Sequence, residues 1–159
     1  MIAIPRPLIA ALTVVMCITI GSVVSISAGE TRFENIAFAT PNGLRLVPVE
    51  VAETERARTQ GLQGRPRLPE GEGMLLLWPA GAQVALWMKG TAISLDMIFI
   101  GYDGVITKIE RNTEPFSEKA ILAAGPVWGV VEMNAGSARR LGIEVGQLTG
   151  RSLEFSNNY

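Results

Sequence analysis

The stretch LDMIFIGYDGVITKIER, Leu95 to Arg111, places two runs of β-branched and aromatic residues on either side of Asp103 and Gly104. Asp-Gly is the preferred pair for a two-residue hairpin turn, because both positions tolerate the left-handed backbone that the turn needs. A turn there predicts Tyr102 opposite Val105, Ile100 opposite Thr107, Ile98 opposite Ile109 and Asp96 opposite Arg111. Ile98, Ile100, Tyr102, Val105 and Ile109 then share one apolar face, and Asp96 points inward at its open end. A carboxylate buried there without partners would be costly. Arg111 across the ladder and Lys89 across the GTAIS connection are the two cations in sequence reach.

Outward from this hairpin, VALWMK at Val84 to Lys89 sets Val84, Leu86 and Met88 on one strand face and Ala85, Trp87 and Lys89 on the other. Upstream, RFENIAFAT and LRLVPVEVA read as strands joined at PNG, and MLLLW as a buried strand ending near Pro79 and Gly81. Between them ETERARTQGLQGR predicts a helix of two turns at most, capped by Thr54, favoured by Glu55 at its positive end and terminated by Gly61. Downstream, WGVVEMNA is a strand, SARRLG a short helix capped by Ser137 and ended by Gly142, and RSLEF a final strand. The expected fold is β-rich α+β: a twisted, mainly antiparallel sheet curling into an open barrel with two short helices.

Residues 1–28 differ from the rest. Arg6 is their only charged side chain, and the run from Leu8 to Val24 is almost entirely apolar before the small residues of SISAG. This is the pattern of a secretory signal cleaved near Ala28, with an uncleaved membrane anchor as the rival reading. The expected location is therefore the periplasm or cell envelope, and residues 29–159 form a single β-rich domain of about 130 residues. The formal charge is −1, without a Lys/Arg stripe that could track phosphates, so nucleic acid is not an expected partner. The chain has no histidine, and its one cysteine, Cys17, lies in the signal. That excludes from the mature domain disulfides, thiolate nucleophiles, His/Cys metal sites and Ser-His-Asp hydrolysis. No metal and no cofactor is expected.

The segments VEVAETERARTQGLQGR, LPEGEGMLLLW, LWMKGTAISLDMIFI, GVITKIE, VVEMNAG and LGIEVGQ, in this order and spacing, resemble the prokaryotic family known as domain of unknown function 192. The resemblance runs from Leu46 to about Gln147. It implies a small β-rich domain, commonly exported, with no generally established activity. Four positions depart from the family pattern. Leu86 and Gly90 stand where Phe and Asn are usual, Ser94 where Pro is usual, and Gln147 where Asp is usual. An amide at position 90 could hold a ligand or a turn, and glycine keeps only the second role.

Lys89 and Asp96 admit two readings, a salt-bridged clasp at the strand corner or a proton-transfer pair, with Ser94 as a remote nucleophile candidate. Trp78, Trp87 and Trp128 could offer aromatic faces to a sugar ring, although core packing is the commoner fate, above all for Trp78. Glu50, Glu53, Asp96 and Glu132 are the carboxylates that hydrolysis or calcium would use, and no calcium-loop pattern accompanies them. Met74, Met88, Met97 and Met133 read as core fillers, and Arg56, Arg58, Arg65 and Arg67 as solvated charge around the first helix. The leading expectation is an exported, non-catalytic binding or interaction domain. Its shallow site would comprise Trp87, Lys89, Thr91, Asp96 and Glu132, and its partner would be an envelope glycan or an envelope protein. The alternative is a carboxylate-dependent hydrolase or lyase acting on an envelope polymer.

Overall fold

The computed structural model describes residues 32–151. The expected signal segment at 1–28 and most of the expected RSLEF strand lie outside the described residues. Nine strands and two short helices follow one another: β1 (Phe33–Thr40), β2 (Gly43–Ala52), α1 (Glu55–Gln60), β3 (Gly73–Ala82), β4 (Ala85–Leu86), β5 (Leu95–Gly101), β6 (Ile106–Glu110), β7 (Ile121–Leu122), β8 (Val127–Asn134), α2 (Ser137–Leu141) and β9 (Thr149–Arg151). Seven strands form one sheet in the order β6-β5-β8-β3-β2-β1-β9, and β4 pairs with β7 as a separate ribbon. Every pairing is antiparallel except β2 with β3, which the α1 crossover makes parallel. The sheet curls into an open half-barrel.

Alternation along the strands separates two apolar cores. Ile36, Phe38, Val49, Leu75, Ile98, Ile100, Val131 and Met133 fill the concave side, together with Ala138 of α2 and Ile143 just beyond it. On the convex side Met74, Leu76, Met97, Phe99 and Val130 are covered by Leu62, Val84 and Met88. The four methionines read as core fillers are all buried. Because β5 is buried along its whole length, its two faces serve different cores.

The β5–β6 hairpin keeps the expected register at its open end and changes it next to the turn. Ile98 opposes Ile109, but Ile100 opposes Ile106 rather than Thr107. The loop closes earlier than a two-residue turn would: the Val105 carbonyl accepts from Gly101 N at 2.8 Å, and the Gly101 carbonyl accepts from Gly104 N at 3.1 Å. Gly104 takes φ +75°, as the last residue of a three-residue loop commonly does. An irregularity next to Thr107 then restores the register and turns Ile106 into the concave core. Tyr102, expected to face inward, is 58% exposed.

The first helix matches its local signals. Thr54 accepts from Ala57 N at 3.1 Å, and Gly61 ends the helix at φ +47°. The second helix differs at its start, where Gly136 occupies the cap position and Ser137 makes no capping bond. Its cap comes instead from Asp96.

Candidate functional site

Asp96 and Glu132 lie on adjacent strands but on opposite faces of the sheet. Asp96 alternates with Ile98 and Ile100 on the concave side, whereas Glu132 alternates with Val130 on the convex side. Asp96 is fully buried, and each carboxylate oxygen accepts one backbone N–H at 3.0 Å: Oδ1 from Asn112 and Oδ2 from Ala138, in the first turn of α2. The expected salt-bridged clasp is not formed: two backbone amides, rather than cations, satisfy Asp96. Arg111 instead donates to the Ile143 carbonyl at 3.1 Å. Lys89 stands at the surface, 3.5 Å from Glu118, with its ammonium 5.9 Å from the centre of the Trp87 ring. Neither a Lys89–Asp96 pair nor a convergence of Asp96 with Glu132 is formed.

Glu132 forms the floor of a cleft of about 370 Å3 on the convex side, between α1 and β4, which Trp78, Trp87 and Thr91 also line. Although Glu132 is only 6% exposed, its carboxyl makes no hydrogen bond or ion pair among the described residues, and its oxygens keep some contact with the cleft's solvent. Its cross-strand neighbours are Met74 on β3 and Met97 on β5, neither of which can donate a hydrogen bond. Burial alone pushes its pKa from 4.5 up to about 7. Gly61 lines the cleft beside the carboxyl, where an added Cβ would come within 3.9 Å of Oε2.

The walls are held by the backbone around them. Thr91 is fixed in the turn by donating its N–H to the Met88 carbonyl at 3.0 Å and accepting from Phe116 N at 3.0 Å. Gly90, at φ +68°, keeps the turn role expected of it. Its carbonyl accepts from Gly64 N at 2.9 Å, and a Cβ there would fall 2.9 Å from Gln63 Oε1. Trp78, expected to be simply buried, is partly exposed and forms a wall, with the Arg58 guanidinium 5.2 Å from its ring centre. That guanidinium is already engaged, donating to the Glu53 carbonyl and, at 2.8 Å, to that of Leu77. Trp87 is 52% exposed at the mouth.

The remaining candidates fall elsewhere. Ser94 donates to the Thr113 carbonyl at 2.8 Å. Glu50 binds Arg65 through both oxygens at 2.6 and 2.8 Å, and Glu53 meets Arg32 at 3.0 Å. Trp128 packs against the concave core and borders a second cavity of about 530 Å3 with Tyr102 and Thr149. Among the described residues no group of three or more His, Cys, Asp or Glu could hold a metal ion. The part played by α1 in the cleft was not read from the sequence. The available signal was a helix of polar residues directly before the strand that carries Trp78.

The fold and about a third of the aligned residues recur in two solved proteins. A crystal structure from Sinorhizobium meliloti 1021, described as a "putative transcription regulator", shares 35% identity, with 77% of this chain and 96% of that one covered and a TM-score of 0.73. A protein of unknown function from Novosphingobium aromaticivorans DSM 12444 shares 32% identity over 78% of this chain and 89% of its own, also at a TM-score of 0.73. No curated protein matches. The model of the DUF192 family, described as an uncharacterized ACR, matches residues 37–149, and the chain belongs to that family.

Proposed function

We propose that this is an exported binding domain without catalytic activity, and that its cleft takes a segment of an envelope glycan. Export rests on the character of residues 1–28. The observation that carries the binding reading is Glu132, a carboxyl without a hydrogen-bond partner at the floor of an open cleft whose walls include two indoles and the Thr91 side chain. Indole faces bury well against the apolar side of a sugar ring, and a carboxyl with a nearby hydroxyl can satisfy the ring's hydroxyl groups. Of the expected site residues, Trp87, Thr91 and Glu132 enter this reading directly. Lys89 belongs to the rim, and Asp96 is assigned to stability alone. A net charge of −1, with Arg65 and Arg140 engaged by Glu50 and Glu70, argues against nucleic acid as the ligand.

Thermal stabilisation by fragments of envelope glycans tests this, with anionic polymers and divalent cations as comparison ligands. A glycan-dependent rise in Tm that Trp87→Ala abolishes is the expected result. A rise that survives both Trp87→Ala and Glu132→Gln would place the ligand elsewhere.

One observation favours the hydrolase or lyase reading as the second choice: a carboxylic acid poised near neutral pH is suited to proton transfer. The reaction would need a second group inside the cleft, where Glu55 is the other carboxylate in the lining. Turnover of an envelope polymer that disappears in Glu132→Gln would favour it over simple binding.

A further inference from the structure

We propose that the cleft recognises an ammonium group, with Glu132 as its counter-ion and the indoles of Trp78 and Trp87 as its walls. This rests on the binding reading and specifies which chemical group the ligand must present. The unmet demand in the cleft is that of an acceptor. The Glu132 carboxyl, facing the cleft, has no protein donor among the described residues, whereas the Arg58 guanidinium already has carbonyl partners and a ring beneath it. A buried carboxyl without a partner is best satisfied by a cation that brings its own charge and, where it has them, N–H donors. Aromatic faces add attraction for the same class of ligand. Arg58 over Trp78 and Lys89 over Trp87 show both rings already attracting cations from the protein itself.

A metal ion is less suited to the floor. Hard cations take six or more oxygen ligands, and the described residues bring no cluster of carboxylates together. Gly61, which lines the cleft beside the carboxyl, stands at the carbonyl-rich end of α1, which also favours positive charge.

Binding a permanent cation requires the ionised carboxylate, so the protonated fraction must release its proton to solvent as the ligand enters. The charged groups around Glu132 are few. Glu55 and Arg58 come from α1, and Lys89, beyond Trp87, is paired with Glu118. On β2 the nearest charge is Glu50, neutralised by Arg65, while β3 and β5 present Met74, Leu76 and Met97. Glu132, raised to about 7 by burial, is the group whose ionisation the binding of a cation draws on.

The test titrates the protein with choline, glucosamine and N-acetylglucosamine and follows the indole N–H resonances of Trp78 and Trp87 together with the binding heat. Choline and glucosamine should shift both indoles, and the neutral N-acetylglucosamine should not. Choline carries a fixed charge, so its affinity should weaken roughly 100-fold from pH 8 to pH 5. Glu132→Gln should remove that pH dependence and weaken choline binding at pH 8 at least about tenfold. N-acetylglucosamine binding as tightly as glucosamine, or choline affinity flat with pH in the unmodified protein, overturns the ammonium assignment while leaving a glycan-binding cleft intact. No response to any of the three compounds overturns it whatever the wider glycan panel gives.

Discussion

Glu132 places a titratable group in an environment that disfavours its charge, and this makes stability depend on pH in a defined direction. Its pKa is 4.5 when solvated and about 7 in the folded domain. Below pH 4.5 both states hold the proton. Between 4.5 and 7 the unfolded chain releases it while the folded domain retains it, so stability falls as pH rises through this window. The total loss is about 3 kcal/mol, and it is complete above pH 7. Urea denaturation from pH 4 to pH 8 should show this decline in the unmodified protein, and Glu132→Gln should remove it, leaving the variant the more stable of the two at pH 8. Asp96 shows the opposite arrangement, a buried carboxylate with an N–H for each oxygen. Asp96→Asn must turn an amide NH2 toward one of those donors, and it should lower stability by about 3 kcal/mol in urea. Because Asp96 faces the concave core, the folded fraction of that variant should bind cleft ligands as before.

The two helices do different work although both are short. α1 borders the cleft, and its start depends on the single bond from Ala57 N to Thr54. Thr54→Ala should cost about 1 kcal/mol and speed hydrogen exchange at Ala57 and Arg58, as measured by NMR. α2 has no side-chain cap of its own sequence and uses Asp96 from 42 residues away. This contrast explains what was legible in the sequence. Thr54, Glu55 and Gly61 could be read because capping is decided within a few residues. The partners of Asp96 could not, since nothing near Leu95 announces the amide of Ala138. Nor could the bulge at Thr107, because Asp103-Gly104 suits a two-residue and a three-residue loop alike. The parallel β2–β3 pairing follows from the path of the α1 crossover, which strand patterns do not encode. In the cleft, Trp87 and Thr91 were legible because they flank Lys89 in a short segment that sets an aromatic ring and a charge beside a turn. Trp78 was hidden by its position in a hydrophobic run. The departures from the family pattern found local uses: Gln147 accepts from Glu144 N at 3.1 Å and donates to the Gly142 carbonyl at 3.0 Å, as Ser94 does to Thr113.

Across the whole described domain, stability turns on how the sheet treats its two edges. β6 and β9 end the strand order, and an open edge is both a loss of hydrogen bonds and an invitation to aggregate. The edges meet at one corner. Val105 bridges Leu148, Ile106 N donates to the Gln147 carbonyl at 2.9 Å, and Thr149 N donates to the Gly104 carbonyl at 2.8 Å. Gly104 is the residue on which this closure depends. Its φ of +75° suits glycine, and an added Cβ would lie 2.6 Å from the Thr149 carbonyl oxygen, which is backbone and cannot swing aside. Gly43, in the first hairpin, has a similar φ of +93° but nothing within 4 Å of a built Cβ. Gly43→Ala should therefore cost only the conformational strain, about 1 kcal/mol. Gly104→Ala should add the separation of the two edges and cost about 3 kcal/mol. Urea denaturation measures both. Hydrogen exchange locates the difference, with the amides of Ile106 and Thr149 losing protection in Gly104→Ala while those of β8, paired on both sides by β3 and β5, keep the protection of the global fold. Equal losses in the two variants would mean that the corner contributes nothing beyond backbone strain and that the half-barrel is stable with its edges apart.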